Sequence, residues 1–156
     1  MKPQMLGLVM ILTALAVDQI SKAIVVANSL ALESGITVFA GFSLVFRRND
    51  GVSFGLLDGL PWWALTTLAF GIIVFLAVVL FRSTNSWETL AYGMIIGGAL
   101  GNVIDRIRFG AVTDFLDFYI GRSHWPSFNV ADIAVVSGAA LLILHSFLRS
   151  DISRKA

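Results

Sequence analysis

The fold class predicted by the sequence is an all-α membrane protein, with four transmembrane helices and a small β-hairpin segment. Two observations carry that expectation. Hydrophobic residues make up 57% of the 156-residue chain and charged residues only 13%, with a mean hydropathy of +0.85. A soluble domain sits far from that balance. Apolar stretches at residues 5–27, 61–81, 88–105 and 130–148 each approach the ~20 residues a helix needs to cross a bilayer. Little chain remains for a second folded unit, so residues 1–156 read as one integral membrane domain.

The first stretch follows Lys2 and mimics a signal peptide, down to the small residues Ala14-Leu15-Ala16. Asp18 and Lys22 argue against that, because a signal peptide's apolar core has no use for an acid and a base. Their i,i+4 spacing, acid first, suits an intrahelical ion pair with Lys22 snorkelling to the interface. Asp18 is equally well placed to point inward at a site.

Residues 28–60 lean polar, and their β-branched and aromatic runs at 36–39 and 42–46, split by Ala40-Gly41, predict a hairpin. Next comes RRNDGVSFG, residues 47–55, where Asn49 offers an amide and Gly51 and Gly55 permit tight backbone geometry. The pattern G-x-S-x-G around Ser53 imitates a nucleophile elbow, which requires an α/β sheet that this chain does not predict.

The second stretch opens on Trp62 and Trp63, residues suited to the membrane interface. The short connection at 82–87 makes the third stretch its antiparallel neighbour. There Gly93, Gly97 and Gly101 recur every fourth residue, a surface for close helix packing, and Asn102 and Asp105 share a face at its end. Ala131, Ala134 and Gly138 give the fourth stretch a similar stripe. Four spans place both termini on one side. Lys and Arg divide almost evenly between the two sides, so charge leaves the orientation open.

Residues 97–132 hold Asp105, Asp114, Asp117 and Asp132 together with Asn102 and Asn129. Ionisable groups at membrane depth cost roughly 3 kcal/mol each. Taken singly, each has a structural explanation. Asp105 with Arg106, and Asp114 with Arg108, would be loop ion pairs, and Asp132 would cap the last helix beside Asn129. Taken together on one side of the membrane, they read as an active site. Two carboxylates close together in a partly dry site share a proton, so one activates water while the other protonates the carbonyl. That is peptide hydrolysis with no metal, cofactor or covalent intermediate.

The formal charge of +1 speaks against nucleic acid, and the absence of cysteine excludes a disulfide framework, a thiolate nucleophile and a sulfur metal site. The two histidines, His124 and His145, form no H-E-x-x-H. Several alternatives remain at this stage. They are a proton or ion pathway, an all-oxygen Mg²⁺ or Ca²⁺ site, a serine protease built on Ser53 and His124, and a purely structural bundle.

Four blocks carry a resemblance: DQISK (18–22), NDGVSFG (49–55), GGALGNVIDRIRFGAVTDF (97–115) and WPSFNVAD (125–132). In this order, over nearly the whole chain, they resemble the bacterial lipoprotein signal peptidases, signal peptidase II. The resemblance implies an aspartic endopeptidase of the cytoplasmic membrane that cuts diacylglyceryl-modified prolipoproteins before the lipidated cysteine. It places the catalytic pair on Asp114 and Asp132. The supporting residues fall on Asp18, Lys22, Asn49, Gly51, Asn102, Asp105, Arg106 and Asn129. It also implies cytoplasmic termini, a site toward the outer face, a monomer among membrane lipids, and inhibition by a cyclic peptide such as globomycin. Residues 28–60 become an extracytoplasmic cradle and residues 106–129 an active-site loop. Ser53 and Thr113 depart from the family's common alanine and valine.

Overall fold

The computed structural model describes residues 2–51 and 60–155, with side chains through Leu148. Four long helices form the body: α1 (Pro3–Ala27), α3 (Trp62–Arg82), α4 (Ser86–Phe109) and α5 (Val130–Lys155). A short helix, α2 (Ser29–Leu32), follows α1. A four-stranded antiparallel sheet lies at one end of the bundle. Its strands are β1 (Ile36–Phe39), β2 (Phe42–Asn49), β3 (Val112–Ile120) and β4 (Ser123–His124), in the order β1-β2-β3-β4.

α1, α3 and the Val130–Leu148 part of α5 are long and apolar enough to cross a membrane. Their outward residues are exposed and greasy, as at Leu12, Ile20, Phe75 and Val136. The fourth expected span, α4, is about 36 Å long at 1.5 Å per residue. It falls short on composition, since it carries Glu88 at its start and Asp105, Arg106 and Arg108 at its end. The reason is its position. α4 packs against α1, α3 and α5, so its sides face protein and need not be uniformly apolar.

Glycine makes that central position possible. A Cβ on Gly93 would lie 2.6 Å from Gly7 O, and one on Gly97 2.7 Å from Ile11 O, both on α1. On the α5 side, a Cβ on Gly98 would collide with Ala131 O, and one on Gly138 would lie 2.7 Å from Ala91 O. Backbones meet directly along both seams.

The two ends of α4 are polar and its middle is not. At its start Asn85 caps the helix, Ser83 Oγ donates to Glu88 at 2.6 Å, and Gln4 Nε2 donates to Ser83 O at 2.9 Å. His145 joins this layer through Asn85 at 3.1 Å. Ile73, Leu80, Ile96 and Val103 form the apolar core between the ends.

The hairpin expected at 36–46 exists, turning at Gly41 with φ +95°. The expectation of a loop over 106–129 does not hold. α4 runs on to Phe109 and stops at Gly110, whose φ of +71° is a left-handed conformation natural to glycine. Strand β3 starts two residues later and pairs with β2, so the hairpin grows into a sheet. Val25, Leu32 and Phe115 pack beneath it and tie it to the end of α1. The sequence VTDFLDFYI, rich in β-branched and aromatic residues, has the composition of a strand despite its two acids.

The glycine seams make a checkable contrast. Gly93→Ala and Gly97→Ala should each destabilise the protein by about 1–3 kcal/mol. Gly71→Ala, with nothing within 4 Å of its Cβ position, should be neutral or slightly stabilising. Thermal melts of the three variants in detergent decide it.

Candidate active site

The site grows from α1. Asp18 is fully buried and Lys22 is 3% exposed, so the snorkelling expected of Lys22 is overturned: its ammonium turns inward. Lys22 Nζ lies 3.0 Å from Asp18 Oδ2 and 3.4 Å from Asp105 Oδ2, and donates to Asn102 Oδ1 at 2.8 Å. The paired reading of Asp18 and its inward reading are both met. Its second oxygen accepts from the Ala131 backbone N–H of α5 at 2.9 Å. One aspartate thus satisfies a lysine and an orphan donor at a helix start. A Cβ at Gly101 would strike the Asp18 carboxylate, so α4 offers glycine there.

The start of α5 supplies the next layer. Asn129 is the residue before the helix and Asp132 its third residue. Asn129 Oδ1 accepts from the Asp132 N–H at 3.1 Å, and Asp132 Oδ2 accepts from the Asn129 N–H at 3.1 Å. This reciprocal pair is a capping box with aspartate in the usual glutamate place. The capping role expected for Asp132 is real, and it leaves the other oxygen free to accept from Asn102 Nδ2 at 2.9 Å. Asn129 Nδ2 donates to Asp114 Oδ1 at 2.7 Å and approaches Asn102 Oδ1 at 3.3 Å.

The sheet brings the remaining parts. Register pairs Arg47 with Asp114, Arg48 with Thr113 and Asn49 with Val112. Asn49 Nδ2 donates to Asp114 Oδ2 at 2.8 Å, while its Oδ1 accepts from the Gly51 N–H at 3.1 Å. Arg106 Nη2 donates to Gly51 O at 3.1 Å. Asp105 Oδ2 also accepts from the Thr113 N–H at 2.8 Å, which pins the first residues of β3 to α4.

Asp114 is 1% exposed. Burial pushes its carboxyl up to about 6; the Asn49 and Asn129 amides and the more distant Lys22 charge work against the rise, and the Asp132 charge adds to it.

All ten expected site residues come together. The loop ion pairs proposed for Asp105 with Arg106 and Asp114 with Arg108 do not form: Asp105 bonds Lys22, Gln19 and Thr113, and Asp114 bonds Asn49 and Asn129. Asp117, expected to be a loop or interface charge, is buried and lies 2.9 Å from His124 Nδ1. Ser53 and Gly55 lie outside the described residues. Sequence reasoning passed over Gln19, whose amide reaches Asp18 at 3.1 Å and Gly101 O at 3.2 Å. An amide inside an apolar helix was the available signal. It also passed over Arg48, whose Nη1 donates to Thr113 Oγ1 at 2.8 Å.

The bundle thus gathers buried acids at one end beneath a small sheet, with three helices long and apolar enough to cross a membrane. The family profile described as Signal peptidase (SPase) II matches residues 10–148, and the chain belongs to that family. Lipoprotein signal peptidases from Escherichia coli O1:K1 / APEC and from Escherichia coli O139:H28 are each 40% identical to it over 151 residues. Each match covers 94% of this chain and 92% of the relative. A bacterial membrane enzyme solved by the in meso method at 2.3 Å resolution superposes with a TM-score of 0.75 at 28% identity, covering 96% of this chain and 91% of that one. A second such structure, at 1.9 Å resolution, gives a TM-score of 0.69 at 28% identity, with 89% and 90% covered.

The raised Asp114 carboxyl has a consequence for stability. Between the ordinary value of 3.8 and about 6 the folded state holds a proton that the unfolded state has lost. This contribution is fully present below 3.8 and is lost as pH rises through about 6. The loss is on the order of 3 kcal/mol. Asp114→Asn should remove that decline, so the stability difference between variant and parent should change between pH 4 and pH 7 in denaturant or thermal titrations. A parallel pH dependence for the two proteins would contradict it.

Proposed function

We propose that this chain is an aspartic endopeptidase that removes signal peptides from diacylglyceryl-modified prolipoproteins, cleaving before the lipidated cysteine. The observation that carries the reading is the Asn129 bridge. Its side-chain amide holds Asp114 Oδ1 at 2.7 Å and its backbone N–H holds Asp132 Oδ2 at 3.1 Å. One residue thereby orients both carboxylates, as shared-proton chemistry requires.

Roles follow from environment. Asp114, buried and pushed up to about 6, carries the proton. Asp132 is half-buried and accepts from Asn102 Nδ2 and the Asn129 N–H, which fix its orientation beside Asn129. Asp132 takes a proton from water as the water oxygen attacks the scissile carbonyl carbon, and Asp114 gives its proton to the carbonyl oxygen. When the tetrahedral intermediate collapses, the C–N bond breaks, Asp132 passes its proton to the leaving amine, and one hydroxyl of the intermediate returns a proton to Asp114 as the new carboxyl forms. Lys22, Asp18 and Asp105 hold the amides in place from behind. A divalent ion would have to displace the amide donors that already occupy these carboxylates.

Four crossings of the bacterial cytoplasmic membrane fit the four long helices, with α4 as the protein-lined fourth span. The termini then lie inside, and the sheet and acids lie at the outer face. A lipid-anchored substrate would reach the site sideways through the bilayer, its acyl chains contributing about 0.8 kcal/mol per buried CH₂.

Cleavage of a lipidated prolipoprotein by the purified protein, followed by mass spectrometry, tests the reading. Asp114→Asn and Asp132→Asn should each remove nearly all cleavage, and the double variant should be little worse than either. Asp117→Asn should keep substantial activity, and EDTA should leave the parent active. An active Asp114→Asn beside a dead Asp117→Asn would overturn the pair, and equal cleavage of an unlipidated precursor would overturn the substrate class.

A further inference from the structure

We propose that Arg48 is a positioning residue for the reaction, acting through Thr113 to hold the Asp114 carboxylate in line; the inference rests on Asp114 being catalytic. Asp114 sits on β3, which leaves α4 through the turn at Gly110 and is tied back to it at the Thr113 N–H by Asp105, so the side of Thr113 that faces β2 remains to be fixed. Arg48 is placed to do so. Its guanidinium donates to Thr113 Oγ1 at 2.8 Å and lies over the Phe109 ring, with Cζ 4.0 Å from the centroid. Phe109 is the last residue of α4 and Thr113 the second of β3, so one planar cation spans the turn. Stacking and a hydrogen bond at once need a flat, multi-donor head, which lysine lacks.

The next residue along each strand completes the device. Asn49 follows Arg48 and donates to Asp114, which follows Thr113. The register sets Arg48 opposite Thr113 and Asn49 opposite Val112, so the Asn49–Asp114 bond crosses the strands diagonally, and the two contacts hold the adjacent residues Thr113 and Asp114. The Thr113 N–H is held separately by Asp105, so Thr113 is fixed through its backbone to α4 and through its hydroxyl to β2. Arg48 is exposed and Thr113 fully buried, so Thr113→Val, which removes the buried hydroxyl together with the bond, is the variant with the smaller cost in stability. Position, not folding, is what the contact supplies.

The test compares Arg48→Gln, Thr113→Val, their double variant and Asp114→Asn with the parent, on a lipidated precursor in detergent. Each single variant should lower kcat about tenfold, with KM within about twofold and melting within about 2 °C. The double variant should be no worse than the worse single one, because both break one contact. Loosening the Asn49–Asp114 bond should also move the basic limb of the kcat/KM profile upward, since that bond holds the Asp114 carboxyl down. Thr113→Val, nearly isosteric, keeps the test decisive should Arg48→Gln fail to fold. Parental kcat in both single variants, losses confined to KM, losses that track melting, or losses that multiply would overturn the inference. With Asp114→Asn inactive, such results overturn the positioning role alone; an active Asp114→Asn overturns the catalytic pair and this role with it.

Discussion

A lysine ammonium with no route to water organises this structure. Lys22 is almost wholly buried, and a buried cation is tolerated only when its hydrogen-bonding capacity is met. Asp18, Asn102 and Asp105 meet it. Because Lys22 occupies the oxygen of Asn102, that residue's amide nitrogen is left to face Asp132. The charge on α1 thereby sets the orientation of a donor on α4 toward an acid on α5. Removing one member of such a cluster leaves a buried charge without compensation, a loss of about 3–5 kcal/mol.

The start of α5 shows how stability and chemistry share atoms. Asp18 and the capping box together satisfy backbone donors that a helix otherwise leaves open. The same capping box presents Asp132 and the amide of Asn129 to Asp114. A residue that closes a helix is held more rigidly than one on a loop, and preorganisation of the proposed pair follows without added scaffolding.

The helical segments were legible because apolar runs long enough to cross a bilayer are a coarse and redundant signal. The lysine's direction was not. An i,i+4 Asp-Lys pair reads the same whether it faces lipid headgroups or protein, and only the packing of α4 against α1 decides. β3 was hidden for a related reason: two acids in VTDFLDF suggest exposure, whereas both are buried, Asp114 against Asn49 far back in the sequence and Asp117 against His124 across the turn to β4. The acids of the site were readable as a group, since a chain this apolar carries few of them. Their ranking rested on the family resemblance, because spacing alone does not separate Asp114 from Asp117. Arg48 gave no signal at all, as a cation beside a cradle has many bland explanations.

The polar character of α4 is confined to its two ends. Between Glu88 and Asp105 the helix carries no ionisable side chain except Tyr92, and Ile73, Leu80 and Ile96 fill the surrounding space. The sixteen residues between them, 89–104, correspond to about 24 Å of helix, much of the hydrocarbon thickness of a bilayer. The apolar middle of α4 therefore keeps the carboxylates at one end of the bundle apart from Glu88 and His145 at the other, with no ionisable relay along this helix but Tyr92.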